Sequence, residues 1–169
     1  RYFRTAAPGD AAWALHFLCG ERFRRSVSGR VLRDWVCEVT GYEAWLFNAC
    51  YDAVGDMAET MTLLLPDGGG ELDASLRDMV ETRIAPLHGQ NEAARKRAVM
   101  ETLAALPRDM RFVWLKLLFG CFRVGVARKL VTRALAEAYD VEPAVMAHRM
   151  MGRWTPTADA FERLVAGED

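Results

Sequence analysis

Apolar residues recur three and four positions apart along most of this chain and rarely alternate with polar ones, so the pattern predicts helices and no strands. The clearest case follows Pro107. Met110, Val113, Trp114, Leu117 and Leu118 form one stripe, and Phe112, Leu115 and Phe119 form a second on the opposite side, which predicts a central, buried helix. Start and stop signals bracket the other segments. Asp10 is expected to cap a helix running to about Arg22, and Ser28 one that stops at Gly41; Tyr42 to Val54 is expected to end at Gly55, with Asp56 capping the next helix. Asp73 and Asn91 are expected to cap two more, separated by a break over Ile84-Ala85-Pro86-Leu87-His88-Gly89. Pro107 opens the central helix and Gly120 closes it. Helices then follow over Ala127 to Tyr139, from Pro143 to Gly152, and from Thr155-Pro156 onward. The expectation is an all-α fold, a compact irregular bundle of about ten short helices.

Two segments test this picture. Pro66-Asp67-Gly68-Gly69-Gly70 reads as a surface loop, not a phosphate loop, because Glu71-Leu72 stands where a Lys-Ser or Lys-Thr pair would be needed. No fixed-period repeat supports a solenoid. With 169 residues, 51% of them hydrophobic and 27% charged, the chain has material for one core, so residues 1–169 are read as a single domain. It begins at Arg1 with what looks like the tail of a helix, which suggests a fragment of a longer protein.

A formal net charge of -1 argues against binding polyanions through overall basicity, so such a partner must meet a local patch. One exists. Between Pro107 and Arg133 lie Arg108, Arg111, Lys116, Arg123, Arg128, Lys129 and Arg133 against Asp109 alone. A weaker basic run, Arg22, Arg24, Arg25, Arg30 and Arg33, faces Glu21 and Asp34.

Within the first run, Gly120 to Lys129 joins two helices through a basic, glycine-bearing turn. Close backbone approach, unpaired helix-start N–H groups and the charges of Arg123, Arg128 and Lys129 suit it to phosphate. The Gly55-Asp56 junction has similar geometry; Asp56 would repel an anion, so its own role is expected to be capping.

Other residues predict little chemistry. Cys19, Cys37, Cys50 and Cys121 lack paired spacing and read as small core side chains in a reducing compartment. His16, His88 and His148 are scattered without metal-ligand spacing, so no metal site is expected. Most tryptophans, and Met57, Met61, Met146, Met150 and Met151, fit core packing; Trp154 stands in a loop beside Arg153. There is no membrane-length apolar run and no signal-peptide pattern, which places the expectation in the cytoplasm.

Leu46 to Thr60, with its Val54-Gly55-Asp56-Met57-Ala58-Glu59-Thr60 element, and Leu117 to Val126, with Gly120-Cys121-Phe122-Arg123-Val124-Gly125-Val126, resemble the amino-terminal DNA-binding domain of ATP-dependent DNA ligases, particularly bacterial ones. The resemblance continues through Ala147 to Thr157 and covers nearly the whole chain. It implies non-sequence-specific binding of nicked duplex DNA across the minor groove, through the sugar-phosphate backbone. It also implies that the catalytic domains, a nucleotidyltransferase and an OB-fold, lie outside this chain.

By the same resemblance Gly55, Asp56, Arg123, Gly125, Val126, Arg128 and Lys129 match DNA-facing positions, with Arg25, Ser28 and Arg30 as weaker candidates. Nick sealing in replication, repair or recombination would need ATP and a divalent metal (Mg) in the absent catalytic domain. This chain is expected to carry neither cofactor. Partners would be nicked duplex and the remaining domains of the same polypeptide, with the protein monomeric and nucleoid-associated when bound.

One departure limits the role. The three lysines, Lys96, Lys116 and Lys129, are not followed by the Asp-Gly of a Lys-x-Asp-Gly adenylation motif, so the chain alone is not expected to be an enzyme. The alternative is a helical protein-protein interaction module without DNA binding.

Overall fold

In the computed structural model, which describes residues 1–67, 70, 72–120, 125–152 and 154–167, all regular structure is helical and no strand occurs among the described residues. The helices are α1 (Tyr2–Thr5), α2 (Pro8–Leu18), α3 (Gly29–Thr40), α4 (Ala44–Val54), α5 (Met57–Leu64), α6 (Leu76–Asp78), α7 (Glu92–Ala105), α8 (Arg108–Leu118), α9 (Arg128–Tyr139), α10 (Pro143–Arg149) and α11 (Ala158–Ala166). No helix among the described residues is long and apolar enough to cross a membrane.

Local chemistry explains most boundaries. Ser28, Asp56 and Asn91 each accept a backbone N–H from the first turn they precede, at Val31, Glu59 and Ala94. Gly41 and Gly55 adopt left-handed backbone and close α3 and α4.

Three signals are used differently. Asp10 lies inside α2, which starts at Pro8, and its carboxylate accepts from the Arg77 backbone N–H at 2.8 Å. Asp73 caps nothing directly, because α6 begins at Leu76; the chain then runs on through a π-helical turn (Met79–Ile84) and a 3-10 turn (Ala85–Gly89), where a break was expected. Thr157, beyond Pro156, is the cap of α11 because its hydroxyl accepts from Ala160 N–H. Of the expected surface loop, Gly68 and Gly69 lie outside the described residues, as does the adjoining Glu71.

Contacts divide the chain into two compact units. The first comprises residues 1–22, 75–77 and 122–169. Here α2 packs on α11 and α9 on α10, around Ala12, Leu15, Leu135, Ala136, Met146 and Phe161. Phe3 stacks on Phe161, and Tyr139 donates its hydroxyl proton to the Phe3 carbonyl at 2.6 Å, tying α1 to α9.

The second unit comprises residues 23–74 and 78–121. In it α5 packs against α4 and α8, and Trp35, Phe47, Met61, Leu103, Trp114 and Leu118 are buried. Helix α8 is mostly buried, as its double stripe predicts, but Phe112 faces solvent and Arg111 is only 2% exposed. Arg111 donates Nε–H to the Leu106 carbonyl at 3.1 Å and Nη1–H to the Pro66 carbonyl at 2.7 Å. Met151, expected in the core, is 80% exposed, and Trp45 is also a surface residue.

Gly120 follows α8 in left-handed backbone with φ of +62°, and a Cβ there would stand 2.7 Å from the Phe23 carbonyl oxygen. Left-handed strain and this backbone clash act together. Gly120→Ala is therefore expected to destabilise the second unit by about 2 kcal/mol. Chemical denaturation measures this, and an unchanged midpoint would refute the assigned turn geometry.

Candidate functional site

Two helix starts of the second unit open on one groove of about 300 Å³, lined by Arg25, Gly29, Tyr51, Gly55, Asp56 and Lys116 among others. The local sequence builds it. Gly55 turns the chain directly from α4 into α5, and Asp56 fixes the new helix by accepting Glu59 N–H at 3.0 Å. Ser28 does the same for α3 by accepting Val31 N–H at 3.3 Å. Arg25 is exposed, and its Nε–H reaches the Phe119 carbonyl at 3.4 Å. The structure thus gathers Gly55, Asp56 and Arg25 at one groove beside Ser28. Arg30, exposed in the first turn of α3, does not line it.

Lys116 was not singled out by sequence, because its partner lies 60 residues away. Its ammonium donates to Asp56 Oδ2 and sits 5.3 Å from the centroid of the Phe112 ring. The expected capping role of Asp56 therefore comes with an ion pair. Burial alone would push the Asp56 carboxyl up, but hydrogen bonds from Lys116 and the Glu59 backbone, with the Lys116 charge, bring it below its ordinary 3.8. Because the folded value is depressed, the stability this carboxylate contributes is present above pH 3.8 and is lost as pH falls through the lowered value. Acid titration should therefore show Asp56 still ionised where ordinary aspartates are half protonated; Asp56 titrating at or above 3.8 would contradict the pair.

The other sequence candidates belong to the first unit. Gly125 and Val126 are exposed just before α9, whose N-cap residue, Ala127, offers no side-chain bond to the helix start. Arg128 is internally engaged: Nη2–H donates to the Met150 carbonyl at 2.9 Å, and Nη1 stands 3.7 Å from Glu21 Oε1. Lys129 is exposed, as is Arg133 one turn on, and neither has an acidic partner among the described residues. Arg123 lies outside the described residues, as do Cys121 and Arg153.

A pocket of about 480 Å³ in the same unit is lined by His16, Cys19, Glu21, Arg128, Met151 and Trp154. Burial lowers the His16 imidazole below 6.5 and raises the Cys19 thiol, so both are neutral at pH 7. Neither is poised as an ionised nucleophile. Cys19, Cys37 and Cys50 are free thiols, half-buried and not deep in the core as expected. Among the described residues no group of three or more His, Cys, Asp or Glu side chains could hold a metal ion.

The basic run is less free than its sequence count suggests. Arg108 stands 3.5 Å from Asp67, Arg111 is buried on carbonyls, Lys116 meets Asp56 and Arg128 faces Glu21. Lys129 and Arg133 keep their charges open to solvent, as do Arg24, Arg25 and Arg30 in the second unit. No protein-family model matches the chain, and no curated protein sequence matches it.

Proposed function

We propose that this chain is a DNA-holding module of the kind found at the amino terminus of bacterial ATP-dependent DNA ligases, and that it grips nicked duplex through phosphates without reading base sequence. The observation that carries the reading is the convergence of the α3 and α5 starts with Arg25 on one groove, at the Val-Gly-Asp-x-Ala-Glu-Thr element that bears the ligase resemblance. Helix starts and arginine are phosphate-binding chemistry, and phosphate contacts set position on a duplex without specifying sequence. The open charges of Lys129 and Arg133, on the helix that follows Gly125 and Val126, support the second motif in the same role.

Adenylation and strand joining belong to domains outside this sequence, where ATP and Mg would act. The expected result is equal affinity for two nicked duplexes of unrelated sequence, measured by fluorescence anisotropy. Binding confined to one sequence, or none at low salt, would overturn the reading.

A protein-docking role draws its own support from Trp45, 68% exposed at the start of α4, and from Val39 and Tyr42, exposed shortly before it. That reading predicts a surface indifferent to DNA. Trp45→Ala would then abolish partner capture, whereas the DNA reading predicts unchanged duplex affinity.

A further inference from the structure

The groove between the α3 and α5 starts carries its own anion. Asp56 Oδ1 takes the Glu59 N–H, its Oδ2 takes the Lys116 ammonium, and both side chains are partly open to the groove, 33% and 23% exposed. Of the two cationic side chains lining the groove, Arg25 has no carboxylate partner among the described residues, whereas Lys116 is held by Asp56 and flanked by Phe112.

We infer that Asp56 is an intramolecular competitor for phosphate, and that Lys116 is a reserve phosphate ligand whose contact with DNA Asp56 limits. This deepens the duplex-binding reading and rests on it. An ammonium has three N–H donors, so Lys116 can meet a phosphate oxygen from the groove while α8 stays fixed. The carboxylate opposes this twice, by occupying one donor and by repelling a phosphate brought alongside. The groove would then bind weakly enough for the protein to leave one nick and find another.

Asparagine caps a helix as well as aspartate does, so Asp56→Asn removes the charge and keeps the α5 start. Affinity for fluorescent nicked duplex is expected to rise about threefold to tenfold. The slope of log affinity against log salt should steepen by about 0.9 as Lys116 gains a phosphate. In a Lys116→Gln background the same substitution should give a clearly smaller gain and no steeper salt slope, because only the repulsion is relieved; this separates release of Lys116 from general loss of negative charge. A thermal melt accompanies each variant, and Asp56→Ser, also a capping residue, replaces the Asn variant should that one not fold.

Unchanged or weakened binding by folded Asp56→Asn, or a gain undiminished in the Lys116→Gln background, overturns this inference and leaves duplex binding standing. Absence of binding by the wild-type chain overturns both.

Discussion

Arg111→Ala is expected to cost about 3 to 4 kcal/mol, more than Gly120→Ala in the same unit. The guanidinium is buried beneath α8 and donates to two backbone carbonyls, at Leu106 and Pro66. These carbonyls belong to segments with no helical partner for them: Leu106 follows α7, and Pro66 opens the loop after α5. Truncation leaves two acceptors without their charged donor and a cavity where the side chain lay. Arg111→Met refills much of that volume and should recover part of the loss, separating packing from hydrogen bonding. Denaturant midpoints measure both variants. A loss below about 1 kcal/mol for the alanine variant would show that the two carbonyls find other partners.

The largest expected effect on binding comes from Arg25→Ala, Lys129→Ala and Arg133→Ala combined. These charges are open to solvent and have no acidic partner among the described residues, so their removal disturbs little internal structure. At about 1 kcal/mol per exposed contact, the triple variant should bind nicked duplex about a hundredfold more weakly at low salt. Its salt slope should fall by about 2.7, three released counterions fewer. Arg128 is a poorer choice for this test, because its loss would also break the contacts with Met150 and Glu21. A triple variant with wild-type affinity and a normal melting curve would remove these residues from the interface.

What the sequence made legible was what depends on neighbours along the chain. Ser28, Asp56 and Asn91 cap as expected because an N-cap bond spans only three residues. Gly41 and Gly55 close helices for the same local reason. Asp10 carried an equally good local signal, yet its carboxylate goes to Arg77, 67 residues on, a competition invisible in any short window. The break expected at Ile84 became a π-helical turn passing into a 3-10 turn, which keeps the chain coiling through Pro86.

Burial failed in both directions. Arg111 reads as a surface charge and lies in the interior, while Phe112 reads as core and lies under Lys116 at the surface. The candidate site was legible in outline, since both glycine junctions mark helix starts. The identity of its cations was not. Sequence weighed Arg128 and Lys129 alike, but a guanidinium's forked donors suit internal carbonyl and carboxylate contacts, and of the two it is Lys129 that has no such partner among the described residues.

The measurement closest to the central claim is the affinity of the wild-type chain for fluorescent nicked duplex across a range of salt concentrations. If helix starts and open cations grip phosphates, log affinity falls linearly with log salt, with a slope of about −3 or steeper and no dependence on base sequence. No binding at low salt, or an affinity indifferent to salt, would contradict it.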